Sequence, residues 1–410
     1  MNQVLGEKPV TPSPQFIRTL VANLTYWRQQ VDDISPGEAA ALLLERPNLY
    51  RAIEFGLSLE ETWLATAALA LQFFPFIERW GDWVAWLPIL ERLWAGRQGS
   101  DLALYGRLLD QLGVLYRLNG RLAEAINAHL EEERIGRQLS DEYRLAHARL
   151  NLSEAYRLGR RYHEAEEAAQ TALKGLLTLA APPDKVGTAF AYLGSIAYAR
   201  GQWTAAEKWF REAVALWRVV DQPLNLARTL KELALTLQAA GQVAEALAVY
   251  QETLAILVQT NSELDKVMVE LNLGALYYSQ ERWAEAEAAF RRADSPYLRQ
   301  SGLLNYQAMT ANNLGNVFLM QGRLSEAESC LQGSLHLWRQ LNSRVNLANT
   351  LGAMAEAQVA QNRLEQAHLH YDEAISLLRA FPDDAWAGRL LAKFRAARSQ
   401  LDKQEGGKGV

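Results

Sequence analysis

The chain has 410 residues, 49% hydrophobic and 22% charged, with a formal net charge of -5. This is the composition of an ordinary soluble protein, and its acidic balance gives no electrostatic support to nonspecific nucleic-acid binding. A single cysteine, Cys330, excludes an internal disulfide framework and fits a reducing compartment, here the cytoplasm.

Residues 1–15 are polar, carry Pro9, Pro12 and Pro14, and lack the basic start and apolar core of a signal peptide, so they read as a flexible leader. Residues 16–100 have helical periodicity and form an N-terminal cap with a degenerate repeat. Phe16–Val31 is one helix, and Ser35-Pro36-Gly37-Glu38 opens the next with a capping box and a proline at its first position. The apolar run Trp63–Ile77 is too short to span a membrane, contains Gln72 and Pro75, and reads as a buried helix. Arg79-Trp80-Gly81-Asp82-Trp83 resembles the turn of a zeroth repeat. Trp27, Trp63, Trp80, Trp83, Trp86 and Trp94 all fall in this region, either to seal the end of a stack or to form a docking surface.

From residue 101 to 380 one pattern recurs, clearest in Leu271–Phe290, where Leu273-Gly274 is followed by Tyr277 and then by Ala286 and Phe290. The marker alanines are Ala125, Ala165, Ala206, Ala246, Ala286, Ala327 and Ala367, spaced by 40 or 41 residues. A methyl there lets two helices cross closely. The glycine slot is always small: Gly113, Ser153, Gly194, Ala234, Gly274, Gly315 and Ala355. The aromatic slot three residues later reads Tyr116, Tyr156, Ala197, Leu237, Tyr277, Phe318 and Gln358, so the last copy is degenerate. Trp203 and Trp283 share a slot with Leu122, Tyr162, Val243, Leu324 and Leu364 and are expected to pack in the core. Residues 381–403 form a C-terminal capping helix with a basic outer face, Arg389, Lys393, Arg395 and Arg398, and 404–410 read as a disordered tail.

Leu-Gly-x2-Tyr followed by Ala-x3-Phe resembles the tetratricopeptide repeat. The period of about 40 resembles the longer branch of that family, found in kinesin light chain and in the sensor arms of bacterial STAND regulators of the MalT type. The resemblance implies an all-α fold, a right-handed superhelical α-solenoid of antiparallel helix pairs with seven repeats in residues 101–380. Leu42–Leu57 followed by RWGDWVAWLPILERLW also resembles the helical segment that precedes the repeats in STAND regulators. No G-x4-G-K-[ST] phosphate loop accompanies it.

The resemblance places binding on the concave face, lined by first helices. Indexed from the small slot, positions six before, two before, one after and five after lie in one stripe opposite the core. An amide occupies the position two before it in Gln111, Asn151, Asn272 and Asn313, and Asn312 and Asn316 add two more. Such a ladder can hold an extended peptide by its backbone. Arg107, Arg117, Arg157, Arg228 and Lys231 are candidate contacts for carboxylates on a partner, although Arg117 and Arg157 also lie where a helix C-terminus favours a cation. Met268, Met309 and Met320 offer an adaptable apolar lining.

Catalytic chemistry finds no motif. His368 and His370 are two apart and point apart, His129, His147, His163 and His336 have no ligand at metal spacing, and Glu131-Glu132-Glu133 reads as a solvated face. No catalytic residue, metal or cofactor is expected. The function implied is a noncatalytic scaffold or adaptor for a protein or peptide segment. The alternative is a ligand-sensing receptor arm acting on a separate effector chain. Partner identity and oligomeric state are not encoded legibly.

Overall fold

The computed structural model describes residues 12–32, 39–80, 82–99 and 101–406. Among them all regular structure is helical. Contacts divide the chain into two compact units, Met1–Leu216 and Trp217–Val410.

In the first unit α1 (Pro14–Asp32), α2 (Ala39–Gly56), α3 (Trp63–Trp80) and α4 (Trp83–Ala95) precede the repeating pairs α5/α6 (Leu102–Leu118, Leu122–Leu139), α7/α8 (Glu142–Leu158, Tyr162–Thr178) and α9/α10 (Pro183–Ala199, Trp203–Val219). The proposed opening Ser35-Pro36-Gly37-Glu38 and Gly81 of the zeroth turn lie outside the described residues. Helix α1 starts at Pro14, two residues inside the stretch read as leader. Helix α3 runs through Pro75, and no described helix is long and apolar enough to cross a membrane. The tryptophans are largely internal: Trp86 is fully buried, and Trp63 is buried with its indole Nε1 donating to the Leu93 carbonyl at 2.9 Å. Trp27, Trp83 and Trp94 pack half-buried against the same cluster.

The second unit continues with α11/α12 (Pro223–Ala239, Val243–Thr260), α13/α14 (Glu263–Ser279, Trp283–Ala293), a short α15 (Pro296–Gln300), α16/α17 (Leu304–Met320, Leu324–Gln340), α18/α19 (Arg344–Ala360, Leu364–Leu378) and a closing α20 (Ala385–Gly406). Prolines stand at the first helical turn of α9, α11 and α15, where no backbone donor is lost. The fifth repeat differs from the rest. Its second helix stops at Ala293, and Ser295 caps α15 by accepting from the Leu298 amide at 3.2 Å. Helix α20 reaches Gly406, so residues 404–406 of the stretch read as a disordered tail are helical. Its basic face is tied down by Lys393 to Glu356 at 2.7 Å and Arg398 to Asp372 at 3.1 Å.

The seven marker alanines are all fully buried, as a close helix crossing requires. Each first helix ends through a left-handed residue: Gly120, Arg160, Gly201, Gly241, Glu281, Gly322 or Asn362. The amide two residues into that turn closes back onto the carbonyl at the aromatic slot, as in Arg121 to Tyr116 at 2.8 Å and Arg282 to Tyr277 at 3.0 Å. The same arginines lie over the slot's ring, with Arg121, Arg161, Arg282 and Arg323 at 4.3 to 4.6 Å from the centroids of Tyr116, Tyr156, Tyr277 and Phe318. Each also pairs with the glutamate three residues on. Trp203 and Trp283 are half-buried, not core: they cover the turn and meet Tyr198 and Tyr278 at 5.2 and 5.0 Å.

Candidate functional site

The stripe defined from the small slot is the part of each first helix that the packing leaves open. On α13, Met268, Asn272, Ala275 and Ser279 are accessible while Val267, Val269, Leu271, Leu273 and Leu276 are buried. On α16, Met309 and Met320 are exposed and Asn313 and Asn316 half-exposed, between buried Ala308, Thr310, Leu314 and Val317. Ala353 on α18 is the exception, being buried. Asn313 and Asn316 line a cavity of about 110 Å³ together with Ala275, Tyr278 and Phe290. Asn272 and Asn316 have no hydrogen-bond partner among the described residues.

The other amides are occupied. Asn312 is buried: its Oδ1 accepts from the Thr350 hydroxyl at 2.9 Å and its Nδ2 reaches Asn313 Oδ1 at 3.4 Å, so it belongs to the interior and not to the open face. Gln111 Nε2 donates to the Leu71 carbonyl, and Asn151 Nδ2 to Asp110 Oδ1, both at 2.9 Å. The cations divide similarly. Arg157 makes two hydrogen bonds to Glu154, at 2.7 and 2.8 Å, and Lys231 is buried against Glu232 at 3.1 Å. Arg228 is exposed and holds Asp265 at 3.2 Å, Arg107 is exposed, and Arg117 is half-exposed. The first unit thus spends most of its named polar side chains internally, whereas the second presents free amides.

A further cluster lies in the first unit that the sequence reading passed over. Glu132 is 1% exposed and Glu133 8%, so the acidic run is not a solvated face; only Glu131, paired with Arg134, turns outward. On a helix, His129 and Glu132 lie one turn apart, and His129 Nδ1 meets Glu132 Oε2 at 3.0 Å. His129 and His147, expected to have no carboxylate at ligand spacing, each have one after all. His147 Nδ1 from α7 stands 3.5 Å from Asp110 Oδ1 of α5 and 3.9 Å from Glu132 Oε1 of α6. Burial and the neighbouring Glu132 push the Asp110 carboxyl up. Burial also acts to raise Glu132, but its hydrogen bonds with His129 and His147 prevail and hold it low. For His147 burial disfavours the cation, yet Glu132 and Asp110 raise it above its ordinary value. Arg107, Asp141, Tyr143 and Arg144 complete a cavity of about 260 Å³ over the cluster. The sequence signal was a histidine, His129, in the slot that elsewhere holds Ala169, Phe210, Tyr250, Phe290, Leu331 or Tyr371.

These features define a class: a protein of stacked helix pairs whose first helices carry the accessible polar face. Residues 186–259 and 306–380 match one tetratricopeptide repeat family model, and residues 271–293 match another. The chain carries tetratricopeptide repeats in these segments. Its fold is similar to that of a Rap protein complexed with competence and sporulation factor, with a TM-score of 0.57, 14% identity, and 89% of this chain and 98% of that one covered. Similar likenesses are found to aspartyl phosphate phosphatase F from Bacillus subtilis (TM-score 0.55, 13% identity, 93% and 98% covered) and to the apo form of the quorum sensor NprR from B. thuringiensis (0.55, 14%, 88% and 99%). At such identities these likenesses describe the fold. No curated protein matches the sequence.

Proposed function

We propose that the chain is a noncatalytic interaction module that holds a protein or peptide segment against the first helices of its second unit. The observation that carries this reading is the α13/α16 face, where Asn313 and Asn316 line a small cavity, Asn272 is accessible on the neighbouring first helix, and Met309 and Met320 are exposed. An amide offers donor and acceptor together and so matches an extended backbone without selecting its side chains, while methionine adapts to whatever those side chains are. Exposed Arg228, on a first helix of the same unit, would add selectivity for acidic segments.

A second reading, a ligand-sensing arm of a signalling regulator, is favoured by the fold likeness to the Rap protein that was solved with a bound factor and to a protein described as a quorum sensor. The two readings share the face and differ in outcome. An adaptor engages two partners at once, and a sensor changes conformation on binding one.

The test is capture from a lysate of the source cells by the parent chain and by Asn272→Asp/Asn313→Asp/Asn316→Asp, both shown to be folded by circular dichroism. A partner held by the parent and lost by the variant supports recognition on this face. Equal capture by both removes the amides from the mechanism.

A further inference from the structure

In the frame of the repeat, Glu132 stands seven residues after the marker alanine. The same slot holds Ala172, Ala213, Thr253, Ala293, Ser334 and Ala374 in the other six copies, every one of them fully buried. Six repeats therefore fill this position with a small side chain, and one places a carboxylate there at 1% exposure. A neutral solution to the polar part of this location exists in the same molecule. In the sixth repeat Ser334, Thr350 and Asn312 hydrogen-bond to one another at 2.9 and 3.3 Å and need nothing further. Burying carboxylates instead costs several kcal/mol per ion unless a compensating charge is near.

We infer that Asp110, His129, Glu132 and His147 form a binding site for a divalent transition ion of the zinc class, joining helices α5, α6 and α7. Donor atoms of Asp110, His129 and Glu132 lie within 4.8 Å of one another, and His147 Nδ1 is 3.5 and 3.9 Å from the Asp110 and Glu132 oxygens. Tetrahedral coordination at about 2.0–2.1 Å separates donors by roughly 3.3 Å, so His147 closes by a few tenths of an ångström and the widest-spaced donors by up to about 1.5 Å, a side-chain adjustment around an ion. Two imidazoles with two carboxylates select a borderline ion such as Zn²⁺ over Mg²⁺ or Ca²⁺, which take oxygen alone. The Asn151 amide on Asp110 is the outer hydrogen bond that orients such a ligand. His129 Nε2 is buried with no partner and faces Gly113, so the ring is already held in its orientation by packing. The cavity above the cluster, bounded by Tyr143 and Arg107, gives an ion access from solvent.

The ion would act as a clamp between two consecutive repeats, raising their stability by mass action. The test uses the full chain, stripped with a chelator and then freed of it. Zn²⁺ is titrated by calorimetry, and Co²⁺ by its visible ligand-field absorption. The expected result is one equivalent bound with a visible Co²⁺ band, a rise in Tm with Zn²⁺, and a loss of affinity of at least about tenfold in Asp110→Asn and in His147→Gln. His163→Gln, remote from the cluster, should leave binding unchanged. Both ligand substitutions lie at partly accessible positions, and circular dichroism confirms their fold. Absence of saturable Zn²⁺ and Co²⁺ binding in the parent overturns the site and leaves a self-contained carboxylate–imidazolium network. Binding of undiminished affinity in both ligand variants overturns it as well.

Discussion

Gly274→Ala adds one methyl in the middle of α13, and its effect can be worked from the structure. A Cβ built there falls 2.5, 2.7 and 2.9 Å from Cε1, Cδ1 and Cζ of Phe290, a ring that is 1% exposed. Reaching van der Waals separation requires the ring to move by about 1 Å within a close-packed layer. Overpacking of this kind costs about 1–3 kcal/mol, against a gain of about 1 kcal/mol from replacing helical glycine by alanine. The net expectation is a loss of up to about 2 kcal/mol. Gly333→Ala in α17 is the control, since a Cβ there meets nothing within 4 Å; only the propensity gain remains, about 0.5–1 kcal/mol of stabilisation. The other glycines of the slot are equally tight, a Cβ at Gly113, Gly194 or Gly315 falling 2.3, 2.7 or 2.7 Å from His129, Phe210 or Leu331, while Ala234 and Ala355 are buried copies that hold a methyl there. The assay is urea denaturation followed by far-UV circular dichroism on both variants and on Gly274→Ala combined with Phe290→Leu, where most of the penalty should vanish. If Gly274→Ala stabilises as Gly333→Ala does, the reasoning about helix crossing is wrong.

Three further outcomes follow from the same packing. Glu281 adopts φ +57 in a turn where Gly120, Gly201, Gly241 and Gly322 serve the same role, so Glu281→Gly should stabilise by about 0.5–1 kcal/mol in urea titration, the relief of left-handed strain exceeding glycine's added chain entropy. Asn312→Ala should cost about 1–2 kcal/mol because it removes the acceptor at 2.9 Å from the buried Thr350 hydroxyl, leaving it the longer bond to the Asn346 carbonyl at 3.2 Å, whereas Asn313→Ala on the open face should change stability by less than about 0.5 kcal/mol. Burial holds His370 below its ordinary 6.5, and its Nδ1 lies 2.8 Å from the Gln358 amide oxygen, consistent with a neutral ring donating there. A histidine depressed on folding contributes stability that is complete above pH 6.5 and lost as pH falls through its folded value. The Tm of the parent should therefore fall more steeply than that of His370→Gln as pH is lowered from neutral toward 5; parallel curves would remove His370 from the acid response.

Periodicity made much of the architecture legible before any coordinates. The alanine every 40 or 41 residues and the small slot follow from the geometry of one helix crossing another, which only small side chains satisfy, so local sequence carries the signal. Prolines and left-handed turn residues announce themselves for the same reason, their backbone restriction being intrinsic. The accessible stripe on α13 and α16 was legible too, as the complement of the buried one. What an amide or charge does once there was not. Asn312 and Asn313 are neighbours of identical type, yet one is buried in a network with Thr350 and the other lines an open cavity, because a helix rotates adjacent residues by about 100° toward different neighbours.

The sequence by itself determined the helix pairs, their number of residues per repeat and the face each first helix offers, since these depend on spacing along one chain segment. Tertiary structure alone decided that Glu132 is interior and that Asp110, His129, Glu132 and His147 meet. Those four come from three helices, and their encounter depends on how neighbouring repeats stack, a relation across the core that no local pattern of residues encodes.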